Sequence, residues 1–197
     1  PSAGLRDSKL AIQLQRDFPI IRRVLAGLES NPIKDELGTI HGLIDDLDDL
    51  ESELHYSTGS IATDTETDCQ GFNLDPLNDP PYMLSFSVRP GHGRAILYKP
   101  GSATYRLLIN RLQHWLNSPH PKTGGRPLVI LHNALFDVPV LRRMGLSIDW
   151  RRVHDTMEGA YLSGYLPQGL KALAYRHLGI SMAEYSDLVV QASRRDG

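Results

Sequence analysis

The chain has 197 residues, 41% hydrophobic and 22% charged, which suits one main α/β domain with a smaller appendage and excludes two large domains. Its formal charge of −2 excludes a protein that coats nucleic acid through a broad positive field, and it has no apolar run as long as a membrane helix. The single cysteine, Cys69, excludes an intrachain disulfide, disfavours structural zinc and suits a cell interior.

In chain order, Ser8 to Leu28 places Leu10, Leu14, Phe18, Ile21, Val24, Leu25 and Leu28 at helical spacing, with Ser8 as a candidate N-cap. The pattern breaks at Asn31-Pro32, and Ile40 to Leu54 reads as a second helix with a solvated acidic face. Ile61 to Glu66 alternates as a strand does. Tyr82 to Val88 and Arg94 to Tyr98 read as a hairpin about the Pro90-Gly91-His92-Gly93 turn. Tyr105, Leu108, Leu112 and Trp115 mark a helix, and Leu128 to Leu131 an apolar strand after a turn-rich stretch. A helix is expected from about Asn133 to Met144, stopped by Gly145 and bent by Pro139. Two further helices come next, Asp155 to Leu162 and Gly169 to Leu178, divided by Pro167 and closed by Gly179. Strands in hairpin order succeeded by strands alternating with helices predict a mixed sheet flanked by helices.

Chemistry concentrates at two places. Asp64-Thr65-Glu66 sets two carboxylates two residues apart on a strand, so both leave one face, a geometry for hard divalent cations. By itself the triplet is a weak signal. His132-Asn133-Ala134-Leu135-Phe136-Asp137 comes after a second apolar strand, and Asn133 and Asp137 fall on one helical face. Plainer roles are open to both flanking residues, a helix N-cap for Asn133 and core packing for Phe136. Arg142-Arg143, Arg151-Arg152 and Arg194-Arg195 read equally well as local phosphate contacts or as solvated faces. Of the eight histidines only His132 lies beside the chemistry, and none has ligand spacing.

Together, Asp64-Thr65-Glu66-Thr67-Asp68, Asn133-x-x-Phe136-Asp137, Asp155-Thr156-Met157 and Gly169-Leu170-Lys171-x-Leu173-Ala174 resemble the proofreading 3′–5′ exonuclease domain of family A DNA polymerases, within the four-carboxylate (DEDD) superfamily. The resemblance covers about residues 40 to 190 and implies a ribonuclease H-like fold. It implies that Asp64, Glu66 and Asp137 are catalytic metal ligands for two ions, Mg²⁺ or Mn²⁺, with Asp64 bridging both. It also implies that Thr65, Thr67, Asn133 and Phe136 lie along a single-stranded DNA 3′ end. Gln70 stands where bacterial relatives often carry an apolar wedge, a role that Phe72 could fill. The superfamily's fourth aspartate, in a Tyr-x-x-x-Asp or His-x-x-x-x-Asp motif, has no match: Gly179, Val189 and Met182 stand after Tyr175, Tyr185 and His177 at those spacings. Asp155 belongs to a fold-supporting element in the family and is not the fourth ligand.

A short N-terminal stretch, Pro1 to Arg6 with Gln13 to Phe18 and Arg22 to Leu25, resembles the closing helix of uracil-DNA glycosylases. An ordinary amphipathic helix explains it nearly as well. The expected organisation is therefore a helical remnant over 1–30, a linker and acidic helix over 31–59, and an exonuclease domain over 60–197 truncated before its last motif. Such a fragment should cut feebly or not at all, with a polymerase domain as its C-terminal partner, in the cytoplasm of a bacterial or phage-infected cell. Two alternatives share these residues: a ribonuclease D-like RNA 3′ exonuclease, and a degenerate module that only binds nucleic acid.

Overall fold

The structure is a computed structural model that describes residues 40–68 and 74–179. Two compact units divide these residues at Gly159 and Ala160. The expected helix over Ser8 to Leu28, the glycosylase-like stretch, Gln70, Phe72, Tyr185 and the Arg194-Arg195 pair lie outside the described residues.

Six strands form one sheet in the order β1-β4-β3-β2-β5-β6: β1 (Ile40–Leu43), β2 (Ser60–Thr67), β3 (Pro81–Ser87), β4 (His92–Leu97), β5 (Leu128–Leu131) and β6 (Val153–Asp155). β2, β3 and β4 run antiparallel in sequence, whereas β1 joins β4, β5 joins β2 and β6 joins β5 in parallel. The mixed sheet expected from the sequence is what forms. The helices of this unit are α1 (Leu47–His55), α2 (Ala103–Asn117), α3 (Ala134–Arg143) and the start of α4 (Thr156–Leu162).

Alternation decides what each strand buries. Along β2, Ile61, Thr63 and Thr65 turn inward while Ala62, Asp64 and Glu66 stay exposed. Leu84 and Phe86 of β3, Leu50 and Leu54 of α1, and Leu108 and Leu112 of α2 complete one core with Leu131 and Leu141. At roughly 25 cal/mol per Å² of buried apolar surface, this shared core is the main stabilising contribution. Side-chain caps fix two helix starts: Asp46 accepts the Asp49 N–H at 2.7 Å, and Ser102 accepts the Tyr105 N–H at 3.3 Å.

Two boundaries depart from the sequence reading. The helix expected over Ile40 to Leu54 begins only at Leu47, because Ile40 to Leu43 instead forms the edge strand β1 along β4, and Asp46 caps the shortened α1. β6 has no signature in the sequence: three residues are too few to show a period, and they form a strand only because β5 lies alongside. Asp155 therefore ends a strand, and α4 starts at Thr156. The helix expected from about Asn133 to Met144 forms as α3, which runs through Pro139 to Arg143, and Gly145 at φ 101° turns the chain where a side chain would be strained.

In the second unit, α5 (Leu170–Leu178) closes at Gly179 with φ 74°, as the glycine predicts. Arg176 there donates to the Leu166 carbonyl at 2.9 Å and lies over the Tyr165 ring. Among the described residues no helix is long and apolar enough to cross a membrane.

Candidate active site

The parallel strands β2, β5 and β6 bring their C-terminal ends together, since Ala62 pairs with Ile130 and Leu131 with Asp155. Asp64 and Glu66 lie just past this pairing on β2, and His132, Asn133 and α3 leave β5 beside them. Both β2 carboxylates share one face, as the two-residue spacing predicts. A bulge between Glu66 and Thr67 then breaks the register with β3 and turns the chain away.

Asp137, in the first turn of α3, is 2% exposed. Its Oδ1 accepts the Thr65 backbone N–H at 3.0 Å and the Thr65 hydroxyl at 2.6 Å. The Thr65 N–H also lowers the pKa of the adjacent Asp64 carboxylate, so one amide acts on two acids. Pairing of β2 with β5 stops at Ala62, which leaves this stretch of β2 open to a side chain from α3.

The three acids strain one another electrostatically. Burial pushes Asp137 up to about 6, against the Thr65 hydroxyl bond that lowers it, and the charge of Asp64 adds to the rise. Asp64 is raised by partial loss of hydration, opposed by the Thr65 amide and by nearby His132. Glu66 rises for the same reason, with the Asp64 charge adding to it. Among the described residues no Lys or Arg ion-pairs with any of the three. Negative charge held without a counter-ion, on oxygen donors alone, fits a hard divalent cation. No three ligands among the described residues already stand as a closed cage, however, so the acids meet pairwise around Asp64.

Asp155 holds the frame. Its Oδ1 accepts N–H groups from Asn133 at 3.1 Å, Met157 at 2.9 Å and Glu158 at 3.4 Å, and its Oδ2 that of Ala134 at 2.6 Å. One carboxylate thus caps the starts of α3 and α4, and although burial alone would raise its pKa, these donors bring it below the usual range. Asn133, in the left-handed region at φ 78°, makes no side-chain cap bond, so the N-cap role read for it belongs to Asp155. Thr156 links the same strands by donating to the Leu131 carbonyl at 3.0 Å, and its oxygen lies 2.9 Å from His132 Nδ1.

The remaining expected site residues divide between the core and the surface. The Thr65 side chain, expected along the strand end, is 6% exposed and donates its hydroxyl proton to Asp137. Phe136 is half-buried and packs against the core. Thr67 is half-buried just past the bulge. Arg143 is no free phosphate ligand, because it donates to the carbonyls of Pro76, Asn78 and Asp79 and ties that loop to α3. Arg151 pairs with Asp149, and Arg152 donates to the Arg126 carbonyl. The clamp from Thr65 to Asp137 has no sequence signal, since nothing local links residues 72 positions apart. Leu135, 72% exposed beside Asn133, is also missed by sequence reasoning, because hydropathy places a leucine inside.

A mixed sheet with an acidic pair on the inner strand β2 and a third acid on α3, the helix after β5, is an α/β fold of the ribonuclease H-like kind. The chain belongs to the 3′–5′ exonuclease family, whose model matches residues 43–195. Solved structures share the fold. Brucella melitensis NrnC bound to pGG is 23% identical over 74% of this chain and 64% of its own, with a TM-score of 0.54. Brucella melitensis NrnC with bound Mg²⁺ is 20% identical over 79% and 73%, with a TM-score of 0.51. Escherichia coli RNase D, an exoribonuclease involved in structured RNA processing, is 17% identical over 76% and 36%, with a TM-score of 0.53. The chain thus spans 64% of the pGG-bound NrnC chain and about a third of RNase D. No curated protein matches it.

Proposed function

We propose that this chain carries a metal-dependent 3′–5′ exonuclease site that removes nucleotides from single-stranded RNA ends, with Asp64, Glu66 and Asp137 as its metal ligands. The observation that carries the reading is the cluster itself: two acids on one face of β2 and a third held beneath them by Thr65, without a described lysine or arginine to neutralise them. Divalent ions held there would supply a hydroxide nucleophile and stabilise the departing 3′ oxygen. The chain's own residues do the rest. Asp64 would hold the ions together with Glu66, which faces the same side, and with Asp137, which reaches the site from α3. Asn133 and Thr67, both half-buried, flank the path of the strand end. The RNA preference draws on the ribonuclease D-like and NrnC neighbours.

A second reading, proofreading of DNA beside a family A polymerase domain, is favoured by the order of the motifs in the sequence. Stepwise shortening of 5′-labelled single-stranded RNA and DNA separates the two. We expect Mn²⁺- or Mg²⁺-dependent release of nucleoside 5′-monophosphates, faster on RNA, stopped by EDTA and by Asp64→Ala. Equal or faster cutting of DNA would move the assignment to the proofreading reading. Shortening that survives both EDTA and Asp64→Ala would sink the metal site altogether.

A further inference from the structure

We propose that Thr65 is a positioning residue, whose two donors hold Oδ1 of Asp137 so that Oδ2 stays free to share a divalent cation with Asp64. The inference rests on the carboxylate site proposed above and goes beyond it, because Thr65 would touch neither metal nor substrate. Its place in the strand is the first observation. Sitting between Asp64 and Glu66, Thr65 must point to the opposite face, and there it is 6% exposed. A residue between two outward acids is therefore aimed at whatever packs beneath them, and that is α3 with Asp137.

The second observation is how the donors divide. Both the amide at 3.0 Å and the hydroxyl at 2.6 Å fall on Oδ1, and no donor among the described residues reaches Oδ2. The hydroxyl bond has the length of a charge-assisted bond to an ionised acceptor. Two donors on one oxygen, converging from one residue, fix the plane of the carboxylate as well as its position. Without the hydroxyl, a single amide bond remains, and the carboxylate can swing about it. Thr65 thus couples strand and helix.

The test compares Thr65→Val, which keeps the shape and loses the hydroxyl, with Thr65→Ala, which loses it with less bulk, and with Thr65→Ser, which keeps it. Two measurements are made on the whole chain: the Mn²⁺ concentration that half-saturates cleavage, and the rise in melting temperature that Mn²⁺ gives over EDTA without nucleic acid. Because partners that orient a metal ligand set affinity by about 10- to 100-fold, Thr65→Val and Thr65→Ala should raise the half-saturating concentration at least about tenfold and shrink the Mn²⁺-induced rise. With its hydroxyl in place, Thr65→Ser should stay within about twofold of wild type in both. Wild-type Mn²⁺ response in either hydroxyl-free variant, or a serine variant as impaired as the valine one, overturns the proposal. A wild-type chain whose melting temperature Mn²⁺ leaves unmoved would fail one step earlier, at the carboxylate site, and take the positioning role with it.

Discussion

Asp137 is nearly buried, yet the metal-ligand role proposed for it requires it to be charged. Its pKa of about 6 against an ordinary 3.8 means that the folded chain holds a proton which the unfolded chain has already released. Between those two values the native state binds more protons, so stability falls as pH rises and the loss is complete above pH 6. At 1.36 kcal/mol per pKa unit the loss is about 3 kcal/mol, a large share of a typical domain's stability. Raised values at Asp64 and Glu66 act in the same direction. An asparagine in place of Asp137 can still accept from Thr65 through its amide oxygen but carries no charge. In EDTA, then, Asp137→Asn should be more stable than wild type at pH 8, by an amount that shrinks toward zero near pH 4. Urea denaturation across that range reads the difference, and a gap that does not change with pH would remove the ionisation argument. The same variant should be nearly inactive with Mg²⁺ present.

At the scale of elements, the junction of β5, α3, β6 and α4 depends on one side chain. Asp155 accepts from two N–H groups at the start of α3 and two at the start of α4, so its removal uncaps both helices. With a lost cap costing about 0.5–2 kcal/mol, Asp155→Ala should destabilise the chain by about 2 kcal/mol. It should also lower cleavage more than Thr156→Val does, because α3 carries Asp137. A denaturation midpoint within error of wild type would show that the helix starts find other partners. Asp155 also shows how far the sequence can be read. Period-2 alternation makes the shared face of Asp64 and Glu66 plain, and helical spacing places Asn133 and Asp137 together in the turn leading into α3. Both patterns are local and repeat over enough residues to register. β1 reads as helix because Ile40, Ile44 and Leu47 satisfy a helical period as well as Ile40 to Leu43 satisfy a strand, and only β4 decides between them. β6, the cap from Asp155 and the clamp from Thr65 each need a partner distant in sequence, and no local pattern records it.

Charge sets the behaviour of the whole molecule toward nucleic acid. Twenty-one Lys and Arg stand against 23 Asp and Glu, and many of the arginines are committed internally. Arg89 pairs with Glu53, Arg94 with Asp49, Arg111 with Glu51 and Arg151 with Asp149, while Arg143 and Arg152 bond carbonyls. The described surface therefore lacks the broad basic field that gathers phosphates at long range. On the proposed reading, attraction for a strand would come from cations held at the acidic cluster and from short-range contacts with the last nucleotides. Each phosphate neutralised on a single strand adds about 0.7 to the slope of log affinity against log salt. Contacts to two or three phosphates predict a slope of about −2 for binding of a single-stranded oligonucleotide by the Ca²⁺-loaded chain, measured between about 50 and 300 mM KCl. A slope of about −5 or steeper would require an extended phosphate-binding surface, and nothing in this charge distribution supplies one.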